Sequence, residues 1–159
     1  MNQEKSEIFQ PEIKVRKIIL ENFRGFEQLE LEFQSDLTVL IGENGAGKTT
    51  ILDGLAKLLL IFEKKIRSKP VNLRGVFDVL DIKYDALELV NTLSLSVKDN
   101  KFHWETAVTK TSYQKPQTSN YDSLNRFRDE INLELRNKKT GQSSISHLLF
   151  CSQCASKPG

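Results

Sequence analysis

Residues 37–60 read LTVLIGENGAGKTTILDGLAKLLL, and this stretch decides which fold the chain is expected to adopt. Leu37–Ile41 is apolar apart from Thr38, which is typical of a strand buried on both faces. Apolar residues recur at helical spacing after the glycines and predict a helix over 48–65; they are Ile51, Leu52, Leu55, Leu58, Leu59 and Phe62. A buried strand, a glycine-rich turn and an amphipathic helix in this order predict an α/β fold.

The turn itself, Gly42 to Thr49, fits the phosphate-binding pattern G-x-x-x-x-G-K-[ST]. Glycines allow positive φ angles, so the backbone can wrap its N–H groups around a phosphate. Lys48 would bring a cation to the β- and γ-phosphates, and the Thr49 hydroxyl would bind Mg²⁺. Chance alone would produce this pattern about 0.005 times in a chain of this composition. We therefore interpret it as a nucleotide site rather than a glycine turn with an incidental lysine.

Length and composition place the chain among globular proteins. Its 159 residues correspond to about one domain, and 38% hydrophobic with 28% charged residues exclude wholesale disorder. The longest apolar run, Leu58–Phe62, is too short to span a bilayer, so no membrane partner is predicted. Met1–Gln10 lacks the apolar segment of a secretory signal, and the chain has only two cysteines. A reducing, cytoplasmic setting is therefore expected.

The segments around the loop predict antiparallel β-structure. Glu12–Leu20 and Gln28–Phe33 alternate between apolar and polar residues and are joined by the turn-rich stretch Asn22–Phe26. Leu89–Val97 and Phe102–Thr109 have the character of a hairpin closed near Asp99 and Asn100. The predicted sheet is mixed, because the Leu37–Ile41 strand would add a parallel part to these antiparallel pairs.

A second helix is predicted to begin at Asp122 or Ser123 and to end at Gly141. One face of it carries Leu124, Phe127, Ile131 and Leu135. The chain is then divided into three parts: a nucleotide-binding lobe over 12–110, a polar loop and amphipathic helix over 111–142 that would start an insertion or arm, and a disordered or aberrant tail over 143–159.

A complete hydrolytic site needs an acidic residue at the end of another buried strand, where it holds Mg²⁺ and orients water. The nearest segments, 77–81 and 83–85, are interrupted by charged residues. The sequence also has no Leu-Ser-Gly-Gly run, and Gly141–Ser144 is a poor substitute for one. The chain therefore carries the Walker A half of a site, without a recognisable Walker B or signature motif.

Residues 14–60, KVRKIILENFRGFEQLELEFQSDLTVLIGENGAGKTTILDGLAKLLL, resemble the opening of the SMC-like and RecF-like ATPases with ABC-type heads. The closest likeness is to bacterial AAA-family ATP-binding proteins described as involved in virulence, a group similar to the PtuA-type and OLD-type ATPases of phage defence. The pairing of Asn22–Phe26 with Ile41–Asp53 carries this resemblance. It implies the N-terminal lobe of an ABC-type ATPase head, and it covers about the first 62 residues.

The resemblance also implies roles for individual residues. Phosphate and Mg²⁺ would be bound by Asn44, Gly45, Ala46, Gly47, Lys48, Thr49 and Thr50, with ATP as the nucleotide, Thr49 as the Mg²⁺ ligand and Lys48 as the catalytic cation. Arg24 lies where break-repair members place a phosphate-contacting arginine; the alternative is an exposed turn residue. The expected partners are a second ATPase lobe or a second copy of the chain, and DNA.

The function remains open between several alternatives. The chain is either the ATP-binding lobe of a DNA-repair or phage-defence ATPase, truncated or frameshifted near its end, or a module that binds nucleotide or docks on a partner without turnover. A third alternative is a product without function. The basic stretch Lys57–Arg74 is interpreted either as a nucleic-acid contact or as the solvated side of a helix and its following loop.

Cys151, Cys154 and His147 are three potential zinc ligands near the end of the chain. A closed structural zinc site takes four ligands, and the sequence has no second cysteine pair. The flanking serines also do not favour a redox dithiol. We therefore predict a disordered tail with two incidental thiols rather than a metal or redox site.

Overall fold

The computed structural model describes residues 13–67, 72–97, 100–110 and 118–139. It contains one four-stranded sheet in the order β2-β1-β3-β4, with every neighbouring pair antiparallel. The strands are β1 (Ile13–Phe23), β2 (Phe26–Glu32), β3 (Glu88–Val97) and β4 (Asn100–Thr109). The helices are α1 (Lys48–Ile66) and α2 (Asp122–Lys139), with a short 3₁₀ helix at Val79–Asp81.

Strand β1 is one of the two inner strands of the sheet and pairs with β2 on one side and β3 on the other. Ile18 lies opposite Leu31 of β2 and Leu93 of β3, and all three side chains belong to the hydrophobic core or pack against it. Since directly opposed residues share a face, the apolar alternation of each strand meets in one layer. Both predicted antiparallel units, β1–β2 and the β3–β4 hairpin, are confirmed.

Helix α1 packs on the apolar face of the sheet. Gly54 allows this close approach: a Cβ atom there would lie 3.1 Å from a Leu20 methyl group and 3.2 Å from the Phe23 ring. The fully buried core side chains come from both layers and include Ile18, Leu20, Phe23, Leu58, Ile61, Leu93, Trp104 and Leu124. The core therefore lies directly beneath the helix that follows the glycine loop.

Helix α2 packs against both β4 and α1. The Phe127 ring lies 4.2 Å from the Phe102 ring and 6.4 Å from the Phe62 ring, measured between centroids, and Leu124 is fully buried. The predicted start of this helix is confirmed. The side chain of Leu135, the predicted end at Gly141, and the tail with His147, Cys151 and Cys154 lie outside the described residues, and the division of the chain into three parts stays a prediction.

The predicted strand over Leu37–Ile41 is wrong for this structure. The segment is irregular, and Leu37, Val39 and Ile41 are 73%, 64% and 91% exposed. A strand needs a neighbour for its N–H and C=O groups, and no strand pairs with this segment within the part of the chain that the structure describes. Thr38 and Leu40 instead line a cavity of about 370 Å³ shared with Leu52 and Leu55 of α1.

Two further negative findings apply to the described ranges alone. None of the helices there combines the length and apolar character needed to cross a membrane. The same ranges contain no group of three or more His, Cys, Asp or Glu side chains arranged to hold a metal ion.

Candidate functional site

The glycine loop has the backbone geometry that its sequence predicts. Gly45 and Gly47 adopt φ angles of 86° and 89°, in the left-handed region that glycine enters without steric cost. The Ala46 amide donates to the Glu43 carbonyl at 3.2 Å, which closes a turn within the loop. The chain then enters α1 at Lys48, so the glycines form the connection into the helix.

The N-terminus of α1 is open to an anion. Gly47 immediately precedes the helix, no side chain caps the first amide groups, and the first turn contains no acidic residue. The first N–H groups of a helix have no partner within it, and together with the helix dipole they favour negative charge. The donor set therefore fits a phosphate group.

Lys48 points back over the loop. Its ammonium group donates to the carbonyl oxygens of Gly42 and Glu43, each at 2.7 Å, so the positive charge lies beside the loop. Thr49 and Asn44 are exposed, whereas Thr50 is half-buried. The structure thus brings the loop residues together at one end of α1, with a cation and an accessible hydroxyl among them.

Phe26 supports the loop from the sheet, a contact that sequence reasoning missed. A Cβ atom at Gly47 would lie 2.5 Å from the ring atom Cζ of Phe26, so a larger residue there would have to displace this ring. Phe26 is the first residue of β2 and directly opposes Phe23 of β1. The helix end of the loop, at Gly47, is therefore packed against the start of β2, whereas residues 42–46 are exposed.

Arg24 lies in that β1–β2 turn, and its side chain points to α1. Its guanidinium Nη2 lies 2.6 Å from Asp53 Oδ2 and 3.0 Å from Asp81 Oδ1, and Nε also donates to Asp81 Oδ1 at 3.0 Å. The side chains of Arg24 and Asp53 are 39% and 38% exposed, whereas that of Asp81 is only 6% exposed. The predicted phosphate-contacting arginine is thus anchored beside the helix rather than within the loop.

Asp81 is the buried centre of this ion cluster. Its second oxygen accepts from the Lys57 ammonium group at 2.6 Å and from the Asp78 amide at 3.3 Å. Burial by itself raises the pKa of Asp81, but the hydrogen bonds from Lys57, Asp78 and Arg24, with the charge of Lys57, hold that pKa below its ordinary value. Asp81 is therefore a carboxylate already engaged by two cations.

The basic stretch Lys57–Arg74 does not form a uniform positive surface in the described residues. Lys57 is paired with Asp81, and Arg67 with Glu63 one helical turn away. Lys65 lies with its ammonium group 4.5 Å from the centre of the Tyr121 ring, and burial together with the charge of Arg128 lowers its pKa. A nucleic-acid contact in this stretch stays a prediction.

Comparison with known proteins gives one family and several curated relatives. Residues 17–157 match the family described as AAA domain. The Escherichia coli protein named Retron Ec83 probable ATPase is 30% identical over 120 residues, which is 72% of this chain and 21% of that protein. The DNA double-strand break repair Rad50 ATPase of Saccharolobus solfataricus is 30% identical over 94 residues, 55% of this chain and 11% of that protein.

Two further proteins match a shorter part of the chain or match it at lower identity. The DNA replication and repair protein RecF of Listeria welshimeri is 46% identical over 46 residues, 29% of this chain and 12% of that protein. A solved structure from work on ATP-driven dimerization and DNA-stimulated activation of SMC ATPases aligns with 81% of this chain and 92% of that chain, at 14% identity and a TM-score of 0.38. The chain spans about a fifth or less of the length of the three curated relatives.

The family match covers most of the chain and includes the loop, α1 and the antiparallel sheet. It confirms the predicted fold class, an α/β ATPase head with a helix after the phosphate loop. The predicted sheet is mixed, whereas the four described strands pair antiparallel throughout, because the Leu37–Ile41 segment does not join them. The chain therefore belongs to the AAA-domain family and is similar to Rad50 and RecF proteins.

Proposed function

We propose that this chain binds ATP with Mg²⁺ through the loop Gly42–Thr50. The backbone N–H groups of residues 44–50 would surround the β- and γ-phosphates, Lys48 would leave its two carbonyl partners for phosphate oxygens, and Thr49 would offer its hydroxyl to Mg²⁺. The observation that carries this proposal is the open N-terminus of α1, preceded by two left-handed glycines and bordered by the Lys48 ammonium group.

Isothermal titration of the purified chain with Mg-ATP tests this function. We expect saturable binding that Lys48→Ala abolishes, because the substitution removes the cation that balances the phosphate charge. Lys101→Ala is the matched control: it also removes a lysine, but from an exposed position on β4. Thr49→Ala should weaken binding in Mg²⁺ more than in its absence. Unchanged binding in Lys48→Ala would refute the assignment.

The state of Asp81 favours a second candidate, nucleotide binding without turnover by this chain. Hydrolysis needs a carboxylate that holds Mg²⁺ and orients water. Asp81, the buried acidic side chain of the described residues, is held by Arg24 and Lys57, and Asp53 is also paired with Arg24. Binding of Mg-ATP without release of phosphate supports this candidate. Phosphate release that disappears in Lys48→Ala identifies the chain as an ATPase.

The wider role follows from the names of the relatives and is part of the proposal. Two of them are named for DNA double-strand break repair and for DNA replication and repair, and a third is named Retron Ec83 probable ATPase. We propose a cytoplasmic role in DNA repair or phage defence, with a second ATPase lobe or a second copy of the chain as partner. Sedimentation with and without Mg-ATP measures association with a second copy of the chain, and sedimentation with and without a DNA duplex measures association with DNA.

A further inference from the structure

We infer that Asp81 is a positioning residue for Arg24 at the nucleotide site: it fixes the guanidinium one helical turn from Thr49, within reach of bound phosphates. The inference rests on the proposed ATP-binding function and adds a residue to which neither the motif nor the family likeness gives a role. Three features of the structure support the inference: the backbone of the turn, the two carboxylates that contact the Arg24 guanidinium, and the place of Asp53 on α1.

The backbone of the turn is fixed by the segment around Asp81. Asn22 and Arg24 both have φ angles of 52°, a left-handed conformation that few residues other than glycine adopt. The Arg24 amide donates to the Asp81 carbonyl at 2.8 Å, and the Lys83 amide donates to the Asn22 carbonyl at 2.8 Å. These bonds hold the strained turn in one conformation, so the arginine leaves the backbone in a defined direction.

The guanidinium is held by two carboxylates of unequal exposure. The Asp81 carboxylate is buried and accepts from both Nε and Nη2, which fixes the plane of the guanidinium. The Asp53 carboxylate is half-exposed and lies against Nη2. An incoming phosphate can therefore compete for the exposed side of the guanidinium, while the Asp81 side stays bonded and keeps the group oriented.

The position of Asp53 relates this arginine to the loop. Asp53 follows Thr49 by four residues on α1, so the two lie on one helix face about 5.4 Å apart along the axis. The guanidinium that contacts Asp53 is thus one turn from the hydroxyl proposed to bind Mg²⁺. Lys57 occupies the other oxygen of Asp81, and it keeps this carboxylate charged and in place.

A double-mutant cycle in Mg-ATP affinity tests the inference on the full chain. Arg24→Ala and Asp81→Asn should each weaken binding about three- to tenfold, and the double variant should bind no more weakly than Arg24→Ala alone. Asp85→Asn is the control, since Asp85 lies in the same segment, is exposed and pairs with Lys83 outside the cluster. Its affinity should equal that of the wild type.

The outcomes separate this inference from the proposed function. If Asp81 only supports the fold, Asp81→Asn lowers the melting temperature without weakening ATP binding, or its loss multiplies with that of Arg24→Ala; either result overturns the inference. Loss of binding in Lys48→Ala with full binding in Arg24→Ala also overturns it and leaves the proposed function standing. If Asp81→Asn does not fold, Asp81→Glu, which keeps the charge but displaces the carboxylate, takes its place in the cycle.

Discussion

Replacing Gly47 with alanine combines two costs that the loop allows us to separate. Gly47 has a φ angle of 89°, and its missing Cβ atom leaves room for the Phe26 ring, 2.5 Å from where that atom would stand. Gly45 has nearly the same φ angle, 86°, but a Cβ atom there would have nothing within 4 Å. Gly45→Ala therefore measures the backbone cost alone, and Gly47→Ala measures it together with the contact to Phe26.

The magnitudes follow from these two terms. A left-handed residue with a Cβ atom costs about 1–2 kcal/mol, and both variants carry this cost. Overpacking against the Phe26 ring adds about 1–3 kcal/mol to Gly47→Ala alone. For a chain of this length 1 kcal/mol corresponds to roughly 3 °C in melting temperature, so Gly47→Ala should melt about 3–9 °C below Gly45→Ala.

Thermal unfolding followed by circular dichroism, without nucleotide, measures both variants. The double variant Gly47→Ala/Phe26→Leu supplies the internal control, because leucine lacks the ring atom that the new methyl group would meet. Gly47→Ala should then cost less in the Phe26→Leu background than in the wild type. Equal melting temperatures for the two alanine variants, or the same cost of Gly47→Ala in both backgrounds, would refute the role of this ring.

Three further predictions concern the rest of the chain. Asn91 is fully buried, and its amide has no hydrogen-bond partner among the residues that the structure describes, so Asn91→Val should raise the free energy of unfolding by about 1–3 kcal/mol in denaturant titration; a decrease contradicts the burial cost. The pKa of Asp81 lies below its ordinary value, so the ionised carboxylate stabilises the fold at any pH above that ordinary pKa. This stabilisation is lost as the pH falls through the lowered pKa. Acid unfolding curves of wild type and Asp81→Asn should therefore converge at low pH, and a constant gap would show that another group is responsible. Leu37 and Ile41 are 73% and 91% exposed, so changing both to serine should reduce binding of a hydrophobic dye while the melting temperature stays within about 2 °C; a large fall in melting temperature would mean that these side chains are buried in solution.

The sequence predicts well those features that depend on local pattern. The loop pattern and the apolar spacing after it predict α1 to within one residue at its C-terminal end. The alternation in Gln28–Phe33 and the hairpin character of Leu89–Val97 and Phe102–Thr109 predict antiparallel strands. These features are local because capping, periodicity and turn chemistry are all contained in a few consecutive residues.

Leu37–Ile41 shows where such reasoning fails. The apolar composition of this segment indicates that it favours burial. Burial as a strand also requires a neighbouring strand, and the composition of the segment does not identify that neighbour. In the described residues the segment has none, so the apolar side chains at 37, 39 and 41 stay exposed.

The ion cluster could not be predicted for a different reason. Arg24 and Asp81 are separated by 57 positions, and no periodic pattern relates them. The one local signal is the pair Asp78 and Asp81, three residues apart, which forms a capping box at the 3₁₀ helix. That pattern marks a turn, and only the fold shows that the second aspartate also faces Arg24 and Lys57.

The position of Trp104 gives the chain a built-in optical reporter. It is the single tryptophan of the sequence, it is 1% exposed, and its ring stacks 5.9 Å from that of Phe62 on α1. Helix α1 begins at the residue that is proposed to meet the phosphates, so a displacement of that helix upon nucleotide binding would change the surroundings of the indole. Its emission spectrum can therefore follow movement of the helix against the sheet without any attached label.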